Sequence, residues 1–218
     1  MRFAVLGTGI VGRTLAGALV RVGHEVIMGS RQAGNENAVA WAAAAGPNAG
    51  EGSFSDAASS AQMIVNATAG GASAEALTAA GESNLEGKVL IDVANPLDMS
   101  AGMPPTLSIC NTESLGERLQ KLFPGTRVVK TLNTVTADIM VRPDLVPGDH
   151  DLFLSGNDSA AKSEVRSILE SFGWPARNLI DLGDISTSRG SEMYVTFWLR
   201  LMMARGNPYF NIHVVASP

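Results

Sequence analysis

The sequence has 218 residues, of which 45% are hydrophobic and 17% are charged, with a formal net charge of −5 at pH 7. A chain of this length forms one large domain, or one domain with a small second one, around a sizeable core. The acidic balance argues against nucleic acid or an anionic membrane as the main partner, and no uncharged stretch is long enough to span a bilayer.

The cysteine content and the first residues bear on the cellular compartment. Cys110 is the only cysteine, so the chain forms no internal disulfide. The sequence opens directly on an apolar run, without the basic region and cleavage site of a signal peptide. We therefore expect a cytosolic protein.

The first three predicted elements are a strand, a helix and a strand. The apolar run at 2–6 ends at a glycine, as buried parallel strands often do. Apolar residues then recur at helical spacing over 10–22, and Gly23 ends that helix. A second strand is predicted at 25–28, which completes the opening unit of a nucleotide-binding sheet.

A glycine-rich loop with the spacing G-x-G-x-x-G joins the first strand to the first helix. Its residues are Gly7, Thr8, Gly9, Ile10, Val11 and Gly12. In this pattern the first glycine permits a tight turn, the second lets backbone approach a pyrophosphate, and the third allows close packing of helix on strand. The helix dipole favours an anion at the same end. We predict that the loop binds a dinucleotide; the alternative is a glycine turn without a ligand.

The end of the second strand lacks the acid that binds the ribose 2′-OH of NAD in this kind of site. Ser30 and Arg31 occupy that place. A carboxylate there would repel a 2′-phosphate, whereas a guanidinium attracts it and a hydroxyl donates a hydrogen bond to it. NADP(H) is therefore the predicted cofactor, and the alternative is that Arg31 is a solvated loop cation.

Strands and helices continue to alternate through the first two thirds of the chain. Further strands are predicted at 63–66, 88–93 and 127–132, and helices at 35–45, 53–61, 72–80 and 112–123. Alternation at this spacing predicts an α/β fold of the Rossmann type, with a doubly wound parallel sheet.

A segment rich in proline and glycine at 142–151 predicts a domain boundary. We expect an NADP-binding domain over 1–146 and a small C-terminal α/β domain over 147–218 that closes a cleft. The second domain is predicted to hold strands at 151–156 and 178–183, helices at 158–172 and 187–204, and a last helix that is apolar nearly all round. Such a helix lies at a domain junction or a subunit interface, and we expect a homodimer.

Several kinds of active site are absent from the sequence. Neither tyrosine is followed by lysine four residues later, no serine lies in G-x-S-x-G, and the three histidines are scattered. No metal site is predicted, and no general acid or base can be assigned, so the catalytic residues stay unknown. A nicotinamide enzyme of this kind suits a second redox ring that accepts the hydride directly.

The sequence resembles the NADP oxidoreductases that use the deazaflavin coenzyme F420. The resemblance is carried by "MRFAVLGTGIVGRTLAGALVRVGHEVIMGSR", "DVANPLD", "VVKTLNTV" and "SEMYVTFWLRLM", and it covers nearly the whole chain. It implies reversible hydride transfer between NADP(H) and the deazaflavin, whose rings stack between the two domains. It also implies that Thr8, Gly9, Ser30 and Arg31 hold the NADP phosphates.

Ligands of doubly wound sheets lie beyond the carboxyl ends of the strands, which nominates further residues. For the cofactor we predict Thr68 and Ala69 after one strand, and Ala94 and Asn95 after the next. For the second substrate we predict Asn133, Ser188, Arg189 and Met193. The alternatives are turn-forming asparagines, a helix-capping threonine, an N-cap at the last helix and a core methionine.

Three functions remain open from the sequence. The first is an NADP-dependent oxidoreductase that passes a hydride directly to the deazaflavin. The second is an NADPH-dependent reductase of a small organic substrate, which needs a titratable group over the nicotinamide. The third is an NADP-sensing module without turnover.

Overall fold

Strands and helices alternate along residues 1–217, which are the residues that the computed structural model describes. The strands are β1 (Arg2–Leu6), β2 (Glu25–Ser30), β3 (Ala49–Ser53), β4 (Met63–Asn66), β5 (Val89–Asp92), β6 (Leu97–Asp98), β7 (Thr106–Leu107), β8 (Arg127–Lys130), β9 (Leu152–Gly156) and β10 (Leu179–Asp181). The helices are α1 (Ile10–Arg21), α2 (Glu36–Ala45), α3 (Phe54–Ser60), α4 (Ser73–Ala80), α5 (Glu82–Leu85), α6 (Leu115–Leu122), α7 (Ala137–Val141), α8 (Ser159–Ser171) and α9 (Ser188–Arg205). Short 3-10 turns occur at Gly70–Ala72, Pro143–Leu145, Ala176–Asn178 and Ile185–Thr187.

Eight of the strands form one sheet in the order β10-β9-β8-β5-β4-β1-β2-β3. The six strands β3, β2, β1, β4, β5 and β8, in that spatial order, are parallel. The chain reverses its direction of winding at β1, which lies between β2 and β4. The predicted α/β fold of the Rossmann type, with a doubly wound sheet, is confirmed. A separate two-stranded hairpin is formed by β6 and β7.

Two hydrophobic cores cover the two faces of the sheet. One contains side chains of α1, α2, α7 and α8, and the other contains side chains of α3, α4 and α6. Strand residues alternate between the two cores: Phe3 and Val5 belong to the first, and Ala4 and Leu6 to the second. Because both faces are covered, the parallel strands are apolar runs, which is why the sequence shows them clearly.

The C-terminal strands extend the same sheet. Strand β9 pairs antiparallel with β8, and β10 pairs parallel with β9. The division of the chain at residue 146 stays a prediction, since strand pairing alone does not define a domain.

Two of the differences from the predicted elements have a plain physical reason. Strand β3 was not predicted, because its sequence Ala-Gly-Glu-Gly-Ser has no strand-forming residues; it forms by pairing with the edge of β2. Helix α6 starts later than predicted, because the side chain of Ser114 caps it in a reciprocal capping box with Glu117. Within residues 1–217, every helix is too short or too polar to cross a membrane.

Candidate functional site

The sheet brings the ends of its parallel strands to one edge, called here the carboxyl edge. Leu6 at the end of β1 pairs with Gly29 of β2 on one side and with Asn66 of β4 on the other. Asn66 pairs with Asp92 of β5, which pairs with Lys130 of β8. The loops that follow these strands therefore lie side by side, as the sequence predicts.

The glycine loop turns tightly from β1 into α1. Gly7 has a φ of +120°, and its N–H donates to the carbonyl of Gly29 at 3.0 Å. A Cβ on Gly7 would lie 2.5 Å from the carbonyl oxygen of Ala67, and a Cβ on Gly12 would lie 2.0 Å from that of Gly7. Both glycines are thus required by the packing of the protein itself.

Gly9 differs from its two neighbours in the motif. It is the N-cap of α1 in extended backbone, and a Cβ built on it meets no described protein atom within 4 Å. The fold does not need a glycine here, whereas a ligand that approaches the backbone does. The first turn of α1 carries no acidic residue, so the electrostatic field at this end suits an anion.

Ser30 is the last residue of β2, next to the glycine loop, and Arg31 follows it. Ser30 is 6% exposed, and its hydroxyl donates to the carbonyl of Gln32 at 2.5 Å. Arg31 is exposed, and within residues 1–217 it forms neither a salt bridge nor a side-chain hydrogen bond. Its guanidinium is available to an anion from solvent.

A cleft of about 270 Å³ opens at the carboxyl edge. One side, called here the sheet wall, consists of residues from the loops after β4, β5 and β8. Another part of the lining, called the helix wall, consists of Val195, Trp198 and Leu199 of α9. The lining residues of the cleft are Val11, Ala67, Thr68, Ala69, Gly70, Val93, Ala94, Asn95, Leu97, Asn133, Thr134, Val135, Ala137, Met140, Val195, Trp198 and Leu199.

The composition of this lining matters for chemistry. None of the cleft-lining residues is an acid, a lysine, an arginine, a histidine, a cysteine or a tyrosine. No group of acids, histidines and cysteines among residues 1–217 is arranged to hold a metal ion. The side chains that line the cleft therefore cannot exchange a proton near pH 7.

The predicted polar residues of the sheet wall are held in fixed orientations. Asn133 Nδ2 donates to Asn95 Oδ1 at 3.0 Å and to the carbonyl of Ser191 at 3.0 Å, while Asn95 Nδ2 donates to the carbonyl of Asn133 at 2.8 Å. Leu132, just before Asn133, has a φ of +63°, a conformation that costs a leucine about 1–2 kcal/mol. The strained backbone at Leu132 therefore lowers the stability of the fold, while it places Asn133 in the cleft wall.

Thirteen of the predicted site residues fall into two groups. Six of them line the cleft: Val11, Thr68, Ala69, Ala94, Asn95 and Asn133. The remaining glycine-loop residues, with Ser30 and Arg31, lie at the neighbouring part of the carboxyl edge.

Ser188, Arg189 and Met193 are not among the cleft-lining residues. Arg189 Nε donates to the carboxylate of Glu117 at 2.7 Å. Hydrogen bonding with Arg189 holds the pKa of Glu117 below its ordinary value. Ser188 is buried against Ser114, with their hydroxyl oxygens 2.7 Å apart, and Met193 is 42% exposed. That these three residues contact a second substrate stays a prediction, and their positions outside the cleft lining speak against it.

A set of buried polar residues behind the cleft was missed in the sequence. Asp92, Lys130 and Glu192 are each at most 1% exposed. The signal was present in part, since Asp92 ends the otherwise apolar strand β5 and Lys130 follows two valines at the end of β8. The ion pairs among the three residues could not be predicted, because they depend on the order of the strands in the sheet and on the orientation of α9.

Comparison with known proteins places the chain in context. A family model described as "NADP oxidoreductase coenzyme F420-dependent" matches residues 2–96. The crystal structure of a candidate F420-dependent NADP reductase from Arthrobacter sp. FB24 is 50% identical, covers 99% of this chain and 100% of its own, and superposes with a TM-score of 0.93.

More distant similarities concern the fold and a part of a larger protein. The reductive aminase from Aspergillus terreus, in complex with NADPH and ethyl-5-oxohexanoate, is 18% identical with a TM-score of 0.65, over 94% of this chain and 62% of that one. The metalloreductase STEAP3 of Rattus norvegicus is 26% identical over 192 residues, which are 88% of this chain. The chain spans 36% of the length of this curated relative.

Proposed function

The chain belongs to the family of coenzyme F420-dependent NADP oxidoreductases, and on that premise we propose that it transfers a hydride directly between NADP(H) and the deazaflavin in the cleft at the carboxyl edge. The reaction is NADPH plus oxidised deazaflavin plus a proton, giving NADP⁺ and reduced deazaflavin. The nicotinamide supplies both electrons, and solvent supplies the proton.

The observation that carries this proposal is the absence of titratable side chains from the described cleft lining. A reductase of a carbonyl or imine needs a proton donor at the atom that receives the electrons. A ring that accepts hydride at carbon and takes its proton from water at a distant nitrogen needs only close, aligned packing. The cleft suits the second requirement.

The cofactor half of the site is supported by the glycine loop and by Arg31. Backbone at Gly9 is open to a close ligand, and the dipole of α1 favours a phosphate there. The exposed guanidinium of Arg31 lies at the end of β2, where a 2′-phosphate would extend from the ribose. These residues bind the anionic groups, while Thr68 and Asn95 in the sheet wall orient the part of the cofactor that enters the cleft.

The test is a hydride-transfer assay with the purified protein. NADPH deuterated at the transferring position is mixed with oxidised deazaflavin, and loss of the oxidised absorbance is followed together with deuterium in the product. We expect turnover, and deuterium on the ring carbon of the reduced deazaflavin. Tight NADPH binding without any turnover would instead indicate a sensing module, and turnover with carbonyls or imines alone would indicate a small-substrate reductase.

Alanine at Gly9 should separate binding from folding. Gly9→Ala introduces a methyl group that meets no described protein atom, so the free energy of unfolding should change by less than about 1 kcal/mol. NADPH affinity should fall at least about tenfold, because the methyl group occupies the ligand's approach. Urea unfolding and NADPH fluorescence titration measure the two effects.

The matched variant is Gly12→Ala in the same loop. Its methyl group overlaps the carbonyl of Gly7, so we expect lowered stability as well as lowered affinity. An unaltered NADPH affinity in Gly9→Ala would contradict a pyrophosphate at this loop.

A homodimer through α9 is part of the proposal. Met193 and Phe197 lie one turn apart on this helix and are 42% and 57% exposed. A second subunit against Met193 and Phe197 would bury these apolar side chains.

Phe197→Glu should disrupt such a dimer. A charge in the apolar centre of an interface is costly to bury, so we expect the variant to elute as a monomer while the parent protein elutes as a dimer. Light scattering coupled to gel filtration gives the masses. A parent protein that is monomeric at high micromolar concentration would refute this part.

A cytosolic location also remains a proposal. It is supported by the single cysteine, Cys110, which is a free and exposed thiol. Localisation of a tagged chain in its native cell would test it.

A further inference from the structure

Three charged side chains form a closed group behind the cleft, called here the buried triad: Asp92, Lys130 and Glu192. The ammonium of Lys130 lies 2.8 Å from Asp92 Oδ2 and 2.8 Å from Glu192 Oε1. Burial alone would lower the pKa of Lys130, but the two carboxylates outweigh it and raise that pKa. The lysine therefore stays protonated near neutral pH and exchanges no proton during turnover.

The buried triad is bonded to the sheet wall of the cleft. Lys130 donates its third hydrogen bond to the carbonyl of Ala94, and Asp92 Oδ1 accepts from the N–H of Ala94 at 3.2 Å. Asp92 Oδ1 also accepts from Asn66 Nδ2 at 2.8 Å, and Asn66 Oδ1 accepts from the hydroxyl of Thr68 at 2.7 Å. Ala94 and Thr68 both line the cleft, so their positions depend on Asp92 and Lys130.

The buried triad also includes a residue of α9, the helix that provides the helix wall. Glu192 belongs to α9, and it precedes Val195 and Leu199 by one turn and two turns of the same buried face. Its carboxylate accepts from the N–H groups of Leu115 at 2.7 Å and Gly116 at 3.0 Å, at the start of α6. One side chain thus joins α9 to α6 and to the end of β8.

Stability alone is a poor explanation for this arrangement. Burying three charges costs desolvation energy that apolar side chains of equal volume would not cost. A saturated network of charged hydrogen bonds in a dry interior does fix distances and angles closely. Hydride transfer between two rings depends on such distances, since an error of about 1 Å can lower the rate by on the order of 100-fold.

We propose that the buried triad is a positioning device that sets the spacing of the sheet wall and the helix wall, with Glu192 as the positioning residue that holds α9. The inference rests on the proposed function in one respect, namely that hydride transfer takes place between these walls. None of the three residues lines the cleft, so they act through Ala94, Thr68 and the apolar face of α9.

The test compares Glu192→Gln with Glu117→Gln. Both glutamates connect α6 to α9, but Glu117 does so through Arg189, outside the cleft lining, at the partly exposed side of the contact. Glu117→Gln is thus a matched control for the loss of one carboxylate between these helices. Single-turnover hydride transfer is measured with deuterated and ordinary NADPH, together with KM for NADPH and the free energy of unfolding.

We expect Glu192→Gln to lower the hydride-transfer rate about 10- to 100-fold and to leave KM for NADPH within about three-fold, because the phosphates bind elsewhere on the carboxyl edge. Glu117→Gln should keep the transfer rate within about two-fold even where its unfolding midpoint falls. Equal losses of rate in both variants, or no loss in Glu192→Gln, would overturn the proposal. If Glu192→Gln is insoluble, Asp92→Asn replaces it, with the same expectation.

A second readout is independent of the acceptor. The emission of bound NADPH reports the surroundings of the nicotinamide, and it should shift in Glu192→Gln and stay unchanged in Glu117→Gln. If the parent protein fails to reduce the deazaflavin, the proposed function fails, and this emission still decides the positioning role. An unchanged emission in Glu192→Gln would then count against the buried triad.

Discussion

Replacing Arg31 with alanine should weaken NADP binding by about 10- to 150-fold and leave NAD binding within about two-fold. The range corresponds to one lost charge-assisted hydrogen bond of about 1.5–3 kcal/mol. The side chain is exposed and has no acidic partner in the described chain, so its removal breaks no ion pair and should not alter folding. Affinities for NADP and NAD, measured by calorimetry at two salt concentrations, give the selectivity directly.

Salt and a second arginine supply the controls for this result. Because Arg31 is exposed, its contribution should shrink as ionic strength rises, whereas that of the glycine loop should change less. Arg21 is an exposed arginine at the far end of α1, about 17 Å along the helix axis from its first residue, Ile10. Arg21→Ala should leave both affinities unchanged, and an equal loss of NADP and NAD affinity in Arg31→Ala would refute the 2′-phosphate contact.

The placement of the predicted cofactor residues at one edge of the sheet could be anticipated from the sequence because its determinants are local. Gly7, Gly9 and Gly12 fall within six residues, on a turn fixed by a strand before it and a helix after it. The end of β2 is placed beside that turn by the short connection through α1. No long-range information was needed to bring Ser30 and Arg31 to the same edge.

The part of the cleft that α9 contributes was harder to predict from the sequence, because α9 lies far along the chain from the other lining residues. The sequence suggested the first turn of α9, with Ser188 and Arg189, as the wall of the cleft. In the structure that turn is engaged by α6, through Ser114 and Glu117, and the cleft faces Val195, two turns later. The rotation of α9 about its axis decides this, and contacts with residues more than 70 positions away determine that rotation.

The largest loss of stability should follow replacement of Lys130 by methionine. The substitution keeps the unbranched stem of the side chain but leaves the carboxylates of Asp92 and Glu192 buried without their cation. An uncompensated charge of this kind costs about 3–5 kcal/mol, a large part of the stability of a typical domain. Urea unfolding should show a clear fall of the midpoint, or the variant should fail to accumulate as folded protein.

The double variant Lys130→Met/Asp92→Asn distinguishes a lost charge balance from lost packing. The amide that replaces the carboxylate of Asp92 would retain an acceptor for Asn66, and Glu192 would keep the N–H groups at the start of α6, so the double variant should be more stable than Lys130→Met alone. A double variant that is less stable than the single one would show that packing dominates.

The dependence on pH gives a second check, because the pKa of Lys130 is raised in the folded chain. The stabilisation from its charge is present below the ordinary lysine pKa of about 10.4 and is lost as pH rises through the folded value, so the alkaline fall of stability should be steeper in the parent protein than in the double variant.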